Sequence, residues 1–270
     1  MSAWRGDLLK LKWQNGQRAS FHFIIGEEEI SQESLLGKEI ELTYHQQIHC
    51  IHSGELIKKS FFNGYSYQAF MSLAECDQCM VKPELCHFAK GTCRDPKWGE
   101  ANCFIPHVIY LAWSSDLKIG ITRERNVPYR WLDQGALQAL PILRVKDRLS
   151  AGVIEHEISK TMKDKTDWRK MLTTTVCQDD LKSRKEDLFF QFGDLFDDLN
   201  AEEVESEVYQ FSYPLIEAMT SINDVVDLEK QTHFKGRLIG AKGSYLIFSG
   251  GQVLNTRKFQ GYNITLKVEA

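Results

Sequence analysis

Five of the chain's seven cysteines lie between residues 76 and 103, and that clustering is typical of metal ligands rather than disulfides. Cys76 and Cys79 stand as Cys-x2-Cys, followed by Cys86 and then Cys93. Such a knuckle lets two thiolates hold one ion, and two further cysteines arriving across a loop complete a tetrahedron. A zinc ion bound by Cys76, Cys79, Cys86 and Cys93 would be fully enclosed, so its role is to fold the segment and not to perform chemistry. The Cys86–Cys93 spacing is wider than the second Cys-x2-Cys of a zinc ribbon, which leaves His87, Cys103 and His107 as substitute ligands. An iron–sulfur cluster, or reduced buried thiols without metal, would use the same residues. A second set is incomplete: Cys50 and Ser53 keep the knuckle spacing, and Ser66 and Ala69 repeat it after twelve intervening residues. With one thiol left, no ion is expected there.

A different chemistry is written in HVIYLAWSSDLKIGITRERNVPYRW, from His107 to Trp131. This segment resembles the two-strand signature of the GIY-YIG nuclease superfamily. Val108-Ile109-Tyr110 stands for the first motif and Lys118-Ile119-Gly120 for the second. The resemblance implies an arginine on the following helix, matched by Arg130, and a divalent-metal-binding glutamate on the next, matched by Glu155. It further implies Mg²⁺-dependent endonuclease activity with Tyr110, Lys118, Arg130 and Glu155 as the catalytic set. The residue types suit phosphodiester hydrolysis. Arg130 can grip a phosphate bidentately, Glu155 can hold Mg²⁺ with water in the remaining shell, and Tyr110 can orient or deprotonate the attacking water. Two departures count against activity. Lys118 replaces the second motif's tyrosine and is a weak base at neutral pH unless its pKa is depressed; Val108 replaces the first motif's early glycine. Each candidate also has a plain structural reading: Tyr110 as core, Glu155 as a solvated helix residue, Arg130 as an ion-pair or stacking partner.

From Cys50 to Leu172 the chain resembles a bacterial family designated domain of unknown function 2797. The phrases that carry the match are KKSFFNGY, AECDQCMVKPELCHFAKGTCRDPKWGE, LKIGITR, RWLDQGALQALPI and DWRKML, joined by IGAKGSYLIF and NTRKFQGY near the C-terminus. The resemblance implies a fold but no activity. Its members tend to carry cysteines where Ser53, Ser66 and Ala69 stand, which would account for the half-erased ribbon.

Partners are addressed by charge. The net charge of −4 gives no global attraction to nucleic acid or anionic membrane. Locally, Lys118, Arg123, Arg125, Arg130, Arg144, Lys146 and Arg148 crowd one stretch, interleaved with Tyr129 and Trp131. Arg123, Arg125, Trp131 and Arg144 are thus expected to contact phosphates and stack bases of DNA or RNA. The competing reading is a mixed solvated surface, given Asp116, Glu124, Asp133 and Asp147. A non-catalytic nucleic-acid-binding or protein-interaction module on the same scaffold is the alternative function.

The elements that must position these residues are of mixed type. Ile40, Leu42 and Tyr44 alternate with polar neighbours, as do Tyr262, Ile264, Leu266 and Val268, which is strand periodicity. Gly250-Gly251 between YLIF and QVLN reads as a hairpin turn. HVIYLAW and LKIGIT read as strands, Arg130 to Leu140 as a helix ending before Pro141, and Ser150 as the cap of a helix bearing Ile154, Ile158 and Met162. The expected fold is α+β. A composite β-rich domain takes residues 1–45 with 207–270, a cysteine-rich zinc module 46–105, a GIY-YIG-like α/β core 106–180 and an acidic helical linker 181–206. The opening MSAWRGDLLKLKW carries charges where a signal peptide would be apolar, no run is long enough to span a bilayer, and the chain reads as cytoplasmic.

Overall fold

The computed structural model describes residues 2–162 and 167–269, so four residues of the segment 106–180 lie outside the described part. The architecture is mixed α+β, and the chain divides into two compact units. One comprises Met1–Met71, Leu132–Gly135 and Ser212–Ala270; the other comprises Ser72–Trp131 and Ala136–Phe211.

The first unit is built on β strands. Its N-terminal part supplies β1 (Ser2–Asp7), β2 (Lys12–Gln14), β3 (Ser20–Ile25), β4 (Glu28–Ser31), β5 (Glu39–His49) and the short β6 (Leu56–Ile57). Its C-terminal part supplies β12 (Asp224–Val225), β13 (His233–Lys242), β14 (Tyr245–Phe248), β15 (Gln252–Asn255) and β16 (Tyr262–Val268). These join in an eight-stranded sheet of order β1-β16-β5-β13-β14-β15-β12, with β6 on β5, while β2-β3-β4 form a separate meander. The pairing has a simple cause. Ile40, Leu42 and Tyr44 of β5 and Tyr262, Ile264, Leu266 and Val268 of β16 all turn inward, and antiparallel pairing sets Leu42 opposite Leu266. Gly250 and Gly251 take φ of 76° and 75°, which a side chain disfavours, and so connect β14 to β15.

The second unit carries α2 (Pro96–Asn102), β7 (His107–Trp113), β8 (Leu117–Arg123), β9 (Gln138–Val145), α4 (Arg148–Ser159), α5 (Trp168–Thr173), α6 (Leu181–Asp198), β10 (Glu202–Glu203) and β11 (Tyr209–Gln210). Two short helices, α1 (Tyr67–Ser72) and α3 (Tyr129–Asp133), span points where the chain passes between units. The sheet order is β10-β9-β7-β8, with β11 also on β9. Every residue of β7 is buried. Ile109, Leu111 and Trp113 pack with Ile154 and Ile158 of α4 and with Leu188 and Phe196 of α6.

Two local expectations are corrected. Residues 130–140 do not form one helix: α3 stops at Asp133, Gly135 turns left-handed at φ 70°, and the chain enters β9 before Pro141. The proline is tolerated because the β7–β9 register shifts between Ile109 and Tyr110, leaving a bulge beside it where a missing N–H costs little. Asp147, not Ser150, caps α4, its carboxylate accepting from the Ser150 N–H at 2.8 Å. Among the described residues no helix is long and apolar enough to cross a membrane.

Candidate metal centre and nuclease-like strand pair

Residues 74–90 advance by single helical turns, Ala74–Cys76, Gln78–Met80, Pro83–Leu85 and Phe88–Lys90, none long enough to stand without an internal anchor. The anchor is sulfur-rich. Cys79, Cys86 and Cys103 form one buried cluster with Phe88, Trp98 and Leu149 around it. Hydrogen bonds with the Cys103 and Cys79 thiols hold Cys86 far below the ordinary thiol range. The same bonds, with burial, push Cys79 and Cys103 upward. On the other side of Cys79, a carboxylate oxygen of Asp77 and a ring nitrogen of His87 join its Sγ, all within 4.8 Å of one another. Asp77, Cys79 and His87 are therefore a group able to hold a metal, with further cysteines alongside.

The four expected zinc ligands are distributed unequally about this centre. Cys79 and Cys86 belong to it. Cys76 is buried in the preceding turn, while Cys93 is partly exposed and its Sγ donates to the Asp95 carbonyl at 3.3 Å. Cys103, one of the three substitutes, is part of the cluster. His107 is fully buried four residues later on β7.

Helix α4 is locked to the cysteine loop. A Cβ on Gly152 would stand 2.3 Å from the Pro83 carbonyl carbon and 2.4 Å from the Glu84 nitrogen, so only glycine permits the approach. Arg148, at the start of the same helix, is 8% exposed and donates through Nη2 to the Cys79 and Met80 carbonyls at 3.4 and 3.0 Å. The run of basic residues put Arg148 on a charged surface, and nothing in the spacing gave Asp77 a role. The Asp77–Cys79 proximity was the one available signal, since an Asp two residues before a knuckle cysteine can cap its N–H, here at 3.3 Å.

The nuclease-like residues come from β7, β8, α3 and α4. Tyr110 lies opposite Gly120 in the β7–β8 ladder, and Ala112 opposite Lys118. Gly120 has a packing reason: its Cβ would fall 2.8 Å from the Tyr110 hydroxyl and from the ring carbon bearing it. Tyr110 is 1% exposed, with its ring edge-on to Trp131 at 5.6 Å. Tyr110, Lys118 and Gly120 share the face of the sheet opposite Ile109 and Leu111, whose face α4 covers with Ile154 and Ile158. Arg130 precedes Trp131 on α3, and Glu155 follows Ile154 on α4; both are half-buried.

Of the residues expected to meet nucleic acid, Trp131 is fully buried and packs against Tyr209 and Phe211, so it is not presented for stacking. Arg123 donates to the Asn102 carbonyl at 2.8 Å and lies over the Trp98 ring, and Arg125 reaches the Asn102 side chain at 2.8 Å. Arg144 is held by Glu124 at 3.0 Å and Glu202 at 3.3 Å. Each of these arginines is thus engaged locally, Arg123 and Arg125 both at Asn102 and Arg144 between two glutamates.

In the first unit, the half-ribbon positions do converge. The Ser66 N–H donates to Cys50 Sγ at 3.2 Å, and Ser66 Oγ accepts from the Ala69 N–H at 3.1 Å. Burial opposes ionisation of Cys50, but hydrogen bonds from the Ser53 side chain and from backbone amides of residues 52, 53 and 66 bring it down to about 7.

Fold and site together describe an α+β chain whose cysteine-rich, donor-bearing loop is locked onto its central helix. Residues 37–264 match the model of a protein family of unknown function, DUF2797, and the chain belongs to that family. No curated protein and no solved structure matches it.

Proposed function

We propose that this protein is a zinc-stabilised, GIY-YIG-like protein acting on nucleic acid, with Mg²⁺-dependent phosphodiester hydrolysis as its activity. The observation that carries the reading is the β7–β8 antiparallel pair. It sets Tyr110 directly across from Gly120 and is followed in the chain by the helix bearing Arg130, while α4, bearing Glu155, covers the opposite face of the sheet. Glu155 is the residue that would hold Mg²⁺, which supplies neutralisation of developing phosphorane charge. Arg130 would bind the phosphate, Tyr110 would orient the nucleophile, and Lys118 would donate to a phosphate oxygen. The loop from Cys76 to Cys103 would be folded by zinc and would hold α4, and with it Glu155, in place.

The test is a nicking assay on supercoiled DNA and on structured RNA with Mg²⁺. Glu155→Ala and Arg130→Ala are each expected to lower the rate about 10²–10³-fold, as does removal of one group stabilising transition-state charge. Undiminished cleavage by Glu155→Ala would sink the catalytic assignment.

A second reading, binding without cleavage, is favoured by two observations: the near-complete burial of Tyr110 and the lysine at position 118. It expects salt-sensitive binding to nucleic acid with no Mg²⁺-dependent nicking.

A further inference from the structure

We propose that the aromatic turn of the first unit, residues 58–71, is a stacking surface for single-stranded nucleic acid, with Phe62 and Tyr67 meeting the bases and Lys58 and Lys59 the phosphates. It rests on the reading above only for the class of partner, and adds a binding surface remote in sequence from Tyr110, Arg130 and Glu155. Five rings run in contact through the turn and α1. Phe61 lies 5.3 Å from Tyr67 and 6.1 Å from Phe70. Phe62 lies 6.2 Å from Phe70 and 6.5 Å from Tyr65. Phe62 and Tyr67 are both exposed, although rings of this size ordinarily turn inward.

The backbone is bent to present Phe62. Phe62 and Asn63 take φ of 45° and 63°, a left-handed conformation rare for a bulky residue, before Gly64 at 123°. Such strain persists only where the surroundings enforce it. Here Phe61 and Tyr65 exchange both backbone hydrogen bonds at 2.8 Å, and the Gly64 N–H donates to Ser60 Oγ at 2.7 Å. The Gly64 carbonyl accepts from the Ile51 N–H at 2.9 Å, and the Asn63 carbonyl from Gln260 Nε2 at 3.0 Å. The Phe62 ring is thus fixed at the apex of a pinned turn, and little freedom is left to lose on binding.

Charge selects the occupant. Residues 50–71 hold two lysines, Lys58 and Lys59, against a single carboxylate, Glu55. Both lysines are exposed, and neither forms an ion pair among the described residues. Lys59 Nζ stands over the Phe61 ring at 5.5 Å, so positive charge and aromatic face occupy one place. The centre of a protein-binding patch is depleted of lysine. A polyanion carrying π faces suits both features at once. Only unpaired bases offer those faces, which favours a single strand over a duplex.

The test is fluorescence anisotropy of the full chain with labelled oligothymidylate and oligouridylate of about 16 nucleotides, the upper site size of one binding module, and with a duplex of equal length. At least one of the single strands should bind more tightly than the duplex. Phe62→Ala and Tyr67→Ala should each weaken that binding about 10-fold, within the range for one lost base–ring stack. Phe62→Tyr should bind as wild type and Phe62→Leu as weakly as Phe62→Ala, because stacking needs a ring and a plain apolar contact does not. The paired variant Lys58→Gln, Lys59→Gln should flatten the slope of log affinity against log salt by about 1.4, about 0.7 for each phosphate contact removed. Thermal unfolding checks that each variant folds; should an alanine variant fail, Phe62→Leu and the lysine pair carry the test. Binding to neither single strand, tighter binding to the duplex, wild-type binding by Phe62→Leu, or capture of phosphatidylserine vesicles in place of oligonucleotide would overturn the proposal. A chain that nicks supercoiled DNA but binds neither oligonucleotide overturns this inference alone. One that binds them through Phe62 and never nicks upholds it without the nuclease reading.

Discussion

Replacing Gly152 with valine is expected to cost the second unit about 3 kcal/mol, the upper end of what forced overpacking does to a well-filled core. The atoms that a side chain would strike are the Pro83 carbonyl carbon at 2.3 Å and the Glu84 nitrogen at 2.4 Å, both backbone. Neither can rotate away as a side chain would. Either α4 must lift, uncovering Ile154 and Ile158 from Ile109 and Leu111, or the Pro83–Leu85 turn must move. The second route displaces Cys86 relative to Cys79, so on the proposal that this loop holds zinc the destabilisation should be accompanied by faster zinc release to a chelating dye. Chemical denaturation together with that release assay reads both effects. A midpoint equal to wild type would show that the α4–loop approach is looser than the geometry requires. Gly193 in α6 is the control: nothing stands within 4 Å of its Cβ position. There, Gly193→Ala should stabilise by about 0.5–1 kcal/mol, the helix-interior penalty of glycine.

That contrast between two helical glycines marks what sequence can carry and what it cannot. Periodicity exposed Ile40-Leu42-Tyr44 and Tyr262 to Val268 as inward faces, because alternation is a property of the strand itself. The β7–β8 hairpin was legible for the same reason. The stretch after Arg130 was not. Its apolar residues suit either a helix or a buried strand, and the decision fell to Gly135 and to a bulge beside Pro141, neither of which periodicity weighs. The cysteine cluster shows the same limit. Counting spacings favours cysteines that are near neighbours, and so gave Cys103 only as a substitute ligand. Cys103 enters the cluster because α2 returns the chain beside Cys86 just before β7. The basic stretch is a similar case. Arg144 faces Glu124 and Glu202, and Arg148 points inward, because charge run together in sequence says nothing of which side of an element each residue occupies.

Acidification is expected to destabilise the protein through His107. Its side chain is fully buried at the start of β7, with Nδ1 against the Ile105 carbonyl at 2.7 Å and Nε2 without a partner. Burial depresses its pKa to about 4, only partly offset by that hydrogen bond; Arg148 and Arg123 lower it further, and Asp147 opposes them. The folded state therefore resists a proton that the unfolded chain accepts near pH 6.5. Above that pH both states are neutral and His107 contributes no pH dependence. As pH falls from 6.5 toward 4 the unfolded state binds more protons, and stability declines with it. Between pH 7 and pH 5 the loss attributable to this one imidazole is about 2 kcal/mol, a tenfold difference in proton affinity being worth about 1.4 kcal/mol. Urea unfolding of wild type and of His107→Gln at both pH values isolates it. The measured quantity is the difference between the pH dependences of the two proteins. The glutamine variant should lose about 2 kcal/mol less than wild type on going to pH 5. Equal losses would mean that the imidazole is solvated or charge-paired in solution, and that the start of β7 is not sealed as its burial implies.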